Sequence, residues 1–100
     1  MTLKLLQLFQ EVKDEKLSKE QIENYHKELS ELRADIRLEL ATVLKEKAKF
    51  VFEQPELSVA QRKINWQGTF GGQREIELKA YLSATTDHIN SLKTRIYALL

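Results

Sequence analysis

The chain is one hundred residues long, with 16 basic and 15 acidic side chains, three glycines, one proline and no cysteine. That is the size of one domain with a modest core, and it excludes disulfides, a thiolate metal site and a cysteine nucleophile. Hydrophobic residues make up 42 % and charged residues 31 %, a mixture poor in chain breakers that favours long helices over sheets.

Leu3, Leu5, Leu6, Phe9 and Val12 stand at helical spacing among polar residues, which predicts a short amphipathic helix over about 2–15. The apolar run from Met1 to Phe9 is cut off by Glu11, Lys13 and Asp14, too soon for a secretory signal. No stretch approaches the roughly 20 apolar residues that span a bilayer. The expected location is the cytoplasm, with no membrane contact.

Ser18-Lys19-Glu20-Gln21 fits a capping box and opens a helix expected over 18–52. Pro55 disfavours helical geometry in the residue before it. Within this helix Ile22, Tyr25, Leu29, Leu32, Ile36 and Val43 form a seam with steps of three and four, and Glu39 is its one defect. A second row, Leu38, Leu40, Leu44, Ala48 and Val51, broadens the face, as expected where more than one helix packs on it.

Residues 53–72 read as a connector with a short helix. Glu53 to Leu57 is a turn, and Ser58-Val59-Ala60-Gln61 is a second capping-box candidate leading toward Trp66. Gly68-Thr69-Phe70-Gly71-Gly72 is expected to be a loop. It lacks the Gly-Lys-Ser/Thr ending and the preceding strand of a phosphate-binding P-loop. The last helix is expected over 73–100, with Leu78, Leu82, Thr85, Ile89, Leu92, Ile96 and Leu99 in its seam.

The fold class read from these elements is all-α. It is a single helical domain built on a long antiparallel, coiled-coil-like hairpin, with a short N-terminal helix and a glycine-containing connector. The helix-packing positions are Ile22, Leu29, Leu32, Ile36, Val43, Leu78, Leu82, Ile89, Leu92 and Ile96. Neither seam is wide enough to specify a monomer, so a homo-oligomer is expected.

Residues 1–44 carry seven basic and nine acidic side chains, and residues 45–100 nine and six. The basic character therefore lies in the second half. There Lys45, Lys47, Lys49, Arg62, Lys63 and Arg74, against Glu46, Glu53 and Glu56, are interleaved with Phe50, Phe52, Trp66 and Phe70. Cations neutralise phosphates and exposed aromatics stack on unpaired bases. Lys45, Lys49, Arg62, Lys63, Trp66 and Arg74 are thus candidate contacts to single-stranded nucleic acid. Alternatively, Phe50, Phe52 and Trp66 fill the closed end of the hairpin and the cations form a solvated face.

His26 and His88 are not at metal-ligand spacing, and no Ser/His/Asp set is evident. No catalytic residue, metal or cofactor is expected. A basic helix end, Arg62-Lys63-x-x-Trp66, a glycine-containing break, Arg74-Glu75-Ile76-Glu77-Leu78-Lys79 and a final heptad helix resemble small helical proteins of tailed phages, in particular the UvsY-type recombination mediators. The resemblance covers about half of the chain, which is shorter and nearly neutral, with an acidic first half. It implies a non-enzymatic phage accessory protein that binds single-stranded DNA and helps load a recombinase. The other functions open to such a chain are a protein–protein interaction module, such as an inhibitor or adaptor of a host protein, and a structural assembly subunit.

Overall fold

The computed structural model describes residues 2–99. Among them the regular structure consists of four α-helices, α1 (Thr2–Glu11), α2 (Lys19–Phe52), α3 (Val59–Gln67) and α4 (Phe70–Ala98). The fold is all-α, and α2 and α4 pack together as a helical hairpin. The expected helix end at residue 100 lies outside the described residues. The chain divides into two compact units. One joins the chain up to Asp35 with the chain from Leu82 onward, and the other is Ile36–Tyr81.

In the first unit, Leu5 and Leu8 of α1 and Val12 just beyond it are buried with Ile22, Leu29 and Leu32 of α2 and Ile89 and Leu92 of α4. Thr85, the polar residue of the α4 seam, is also fully buried. The capping box at Ser18 forms reciprocally: the Gln21 N–H donates to the Ser18 hydroxyl at 3.2 Å, and the Ser18 N–H donates to the Gln21 side chain at 2.8 Å.

Helix α1 stops at Glu11 rather than near residue 15, for one local and one distant reason. The Asp14 carboxylate captures the Lys16 N–H at 2.9 Å. The Arg95 guanidinium donates to the carbonyls of Val12 at 2.9 Å and Asp14 at 2.7 Å. A cation there suits the negative end of the helix dipole. Phe9 stacks on His88 with ring centroids 4.5 Å apart, and Lys4 pairs with Glu28 at 3.1 Å.

In the second unit, Ile36 and Val43 of α2, Trp66 of α3 and Leu78 of α4 form the core. The Ser58 hydroxyl caps α3 by accepting the Gln61 N–H at 3.1 Å. Arg62 folds back onto the preceding turn, donating to Leu57 O at 2.9 Å and Pro55 O at 3.0 Å.

Two expectations are corrected here. The first concerns the glycine segment, where the loop shrinks to Gly68 and Thr69 and α4 begins at Phe70. Thr69 makes this possible: its hydroxyl donates to Trp66 O at 2.6 Å and accepts the Gly72 N–H at 3.0 Å, which caps the helix. Gly71 and Gly72 serve close packing rather than a turn. A Cβ on Gly71 would meet the Trp66 ring at 2.6 Å, and one on Gly72 would collide with the Trp66 backbone.

The second concerns the extra apolar row of α2. Leu40 and Val51 are half-buried, but Leu38, Leu44 and Ala48 are exposed. At 3.6 residues per turn, Leu38 lies far around the helix from Ile36, so the row does not broaden the packed face.

Two predictions follow from this packing. G72A should lower the stability by about 1–3 kcal/mol in urea denaturation, the usual cost of overpacking. G68A, whose Cβ meets nothing closer than 3.6 Å at φ −78°, should be neutral or stabilising by up to about 1 kcal/mol. The other concerns pH. Burial, then the Lys13 charge, pushes the His88 pKa below its ordinary value, against a smaller opposing effect of Asp87. The folded chain therefore takes up a proton less readily than the unfolded chain. Stability should hold above the unfolded value of about 6.5 and fall as pH drops through it. H88F should flatten that decline in thermal melts.

Candidate functional site

The α2 seam has one polar defect, and the structure gives it a partner. Arg74 of α4 donates to the Glu39 carboxylate through Nε at 2.8 Å and Nη2 at 2.6 Å, and to Glu77 through Nη1 at 2.7 Å. Arg74, expected on a nucleic-acid face, is therefore committed to two carboxylates.

Trp66 is likewise drawn inward. It is only 4 % exposed, lies 5.6 Å from the Phe50 ring, and donates its indole N–H to Glu75 Oε1 at 2.8 Å. Its face is not available to stack on a base. Arg62 is half-buried and spent on the carbonyls of the 55–57 turn. Of the six candidate contacts, only Lys45, Lys49 and Lys63 are exposed. None of the three takes part in an ion pair among the described residues. The packing set is buried at Ile22, Leu29, Leu32, Ile36, Val43, Leu78, Ile89 and Leu92, and half-buried at Leu82 and Ile96.

Two features of this unit were not foreseen. One is Glu75, a buried carboxylate 6 % exposed. Beside the indole N–H, it accepts Lys79 Nζ on Oε2 at 2.6 Å and Lys47 Nζ on Oε1 at 3.1 Å. Buried charges persist only when paired and hydrogen-bonded. The hydrogen bond from Lys79 leads in holding the Glu75 pKa down to about 2, outweighing the cost of burial, with Trp66 and Lys47 adding to it. The sequence did hold a signal. Extending the α4 heptad backward from Leu78 by three places Glu75 in the seam, with Lys79 four residues beyond it.

The other is the outward face of the second half of α2. Leu38, Ala41, Lys45, Ala48 and Phe52 step by three, four, three and four, and all are exposed. Leu38 is 70 % and Phe52 83 % exposed. With Leu44 at their edge, they form a second apolar stripe opposite the packed seam. Leu38, Ala41, Thr42, Leu44 and Lys45 line a shallow hollow on it. Arg37, Lys45 and Lys49 lie in or beside the stripe. Glu46 and Glu53 fall beyond Lys49, toward the flank.

No group of three or more His, Asp or Glu side chains among the described residues is placed to hold a metal ion. Among them, no helix is long and apolar enough to cross a membrane.

Glu75 stays charged in the fold at a pH where it is protonated in the unfolded chain. Its contribution should be complete above about pH 4.5 and disappear as pH falls toward 2. E75Q should remove that acid limb and cost on the order of 2–3 kcal/mol at neutral pH, the scale of a hydrogen-bonded buried charge. W66F should cost less and leave the acid limb in place. Chemical denaturation at pH 3 to 7 reads both.

Set against protein-family models, curated proteins and solved structures, the chain matches none.

Proposed function

We propose that the chain is a non-enzymatic interaction module that recruits another protein through the outward face of α2. The carrying observation is the exposed stripe Leu38, Ala41, Leu44, Ala48 and Phe52, on a helix whose opposite face is already packed. An exposed apolar row at helical spacing offers the groundwork for a helix-in-helix contact.

Charge selects the occupant. Arg37, Lys45 and Lys49 sit in or beside the stripe without an ion pair among the described residues. An amphipathic helix with leucine-like residues on one face and carboxylates along its border complements both the apolar and the cationic parts. The apolar residues supply affinity and the lysines orient the partner.

A second function is favoured by a narrower observation. Lys45, Lys49 and Phe52 share one arc of α2, and two cations beside an exposed ring are the minimal elements of a single-strand nucleic-acid contact. The charge works against it: Ile36–Tyr81 carries eight basic and six acidic side chains. A recombination-mediator role of the kind implied by the sequence resemblance would rest on this smaller set.

One titration separates them. A labelled amphipathic peptide with leucines at heptad spacing and flanking glutamates should bind with a Kd of about 10 µM by fluorescence anisotropy. Its scrambled version should not bind. L38D, a change at an exposed position, should weaken binding at least about tenfold while leaving the circular dichroism unchanged. Equal binding of the two peptides, or of neither, rules the proposal out. Salt-sensitive binding of a labelled single-stranded oligonucleotide, without peptide binding, would favour the nucleic-acid role. A dimer in sedimentation equilibrium that L38D dissolves would make the occupant a second copy of the chain.

A further inference from the structure

We infer that the cleft between α2, α3 and α4 in the second unit is a binding site for a doubly charged phosphate group, carried free or as a phosphate monoester. The cleft holds about 260 Å³ and is lined by Lys47, Lys63, Gln67 and Lys79 around Glu75 and Trp66. Three lysines and one carboxylate therefore line it, leaving an excess of two positive charges.

The donors are not exhausted. Each ammonium carries three N–H groups. Lys79 gives one to Glu75 Oε2, and Lys47 leans on the same carboxylate at 3.1 and 3.4 Å. Lys63 is exposed and gives none to a carboxylate among the described residues. Glu75 holds Lys47 and Lys79 at the cleft wall, so their remaining N–H groups are already brought together. The buried Trp66 is part of the wall, and a weakly polarisable wall strengthens the attraction of an anion to the lysines.

Charge balance selects the ligand. A monocarboxylate would leave one positive charge uncompensated, whereas a phosphate dianion matches the excess. Lysines serve as point-charge phosphate binders. Gln67 also belongs to the lining and carries a neutral N–H donor. None of these residues belongs to the outward stripe of α2, so this site and the protein-docking face can fail independently.

The chain has a single tryptophan, and it lies in the cleft wall, so its fluorescence reports occupancy. Inorganic phosphate, titrated near pH 8 at constant ionic strength, should give a saturable change with a midpoint of about 1 mM or below. K63Q should raise that midpoint about tenfold with the thermal melt unchanged. Phosphoserine and adenosine 5′-monophosphate separate the sources: tighter binding than inorganic phosphate assigns the site to an ester, and equal binding to free phosphate. A change that chloride reproduces, or a K63Q midpoint equal to that of the parent chain, overturns the proposal. Should the fluorescence stay constant, the ³¹P linewidth of phosphate decides: broadening that K63Q removes supports the site, and an unbroadened line refutes it.

Discussion

Glu75 is a carboxylate with almost no water around it, and its hydrogen bonds fix much of the second unit. The indole N–H of Trp66 meets one of its oxygens, and Lys47 and Lys79 reach it from α2 and α4. Three helices are thereby tied to one side chain. A buried ionised group without partners would cost several kcal/mol, so the carboxylate and its donors form together or not at all. Trp66 in turn determines the close approach of α3 to the start of α4. Its ring and backbone leave no room for a Cβ at Gly71 or Gly72. The glycines, the tryptophan and the carboxylate are one packing arrangement, and each restricts the others.

That arrangement redistributes the aromatic and basic residues of the 45–74 stretch into two chemically distinct sets. Phe50 and Trp66 turn inward, while Phe52 and Phe70 stand in solvent, Phe70 at 93 % exposure. Arg62 closes a turn and Arg74 is held by Glu39 and Glu77. Lys45 and Lys49 remain beside an apolar stripe, and Lys63 beside the Glu75 cleft. A charged residue takes its role from its neighbours. A guanidinium with two carboxylates at hydrogen-bond distance is a structural clamp, because all three nitrogens of its planar fork are engaged.

The helices were legible because their signals are local. The two seams, Ile22 to Val43 and Leu78 to Leu99, follow the helical period over many turns, and all of their residues except the exposed Leu99 are buried or half-buried. Ser18 makes both bonds of the capping box that its spacing implies, and Ser58 makes the hydroxyl half, the Gln61 side chain turning to Asn65 instead. What sequence could not resolve depended on contacts between distant residues. Glu39 is a seam defect until Arg74, thirty-five residues on, is placed beside it. Trp66 is a candidate for stacking until Glu75 claims its N–H. Gly71 and Gly72 look like a loop because glycine usually marks one, but they are small because Trp66 is large and near. The early end of α1 has the same origin, since Arg95 takes the carbonyls of residues 12 and 14 from more than eighty residues away.

The second half of α2 carries two seams of the same period on opposite sides. One, through Ile36 and Val43, is buried. The other, through Leu38, Ala41, Lys45, Ala48 and Phe52, is not. A helix needs only one apolar stripe to pack into a fold, and exposed leucine and phenylalanine gain nothing for folding. Scattered surface hydrophobics are ordinary in any protein. A row that keeps steps of three and four over four turns, bordered by cations without a carboxylate partner among the described residues, is ordered beyond that background. That order is what the proposed docking of another helix rests on, and the lysines within the row set the sign of charge that the proposed partner would carry.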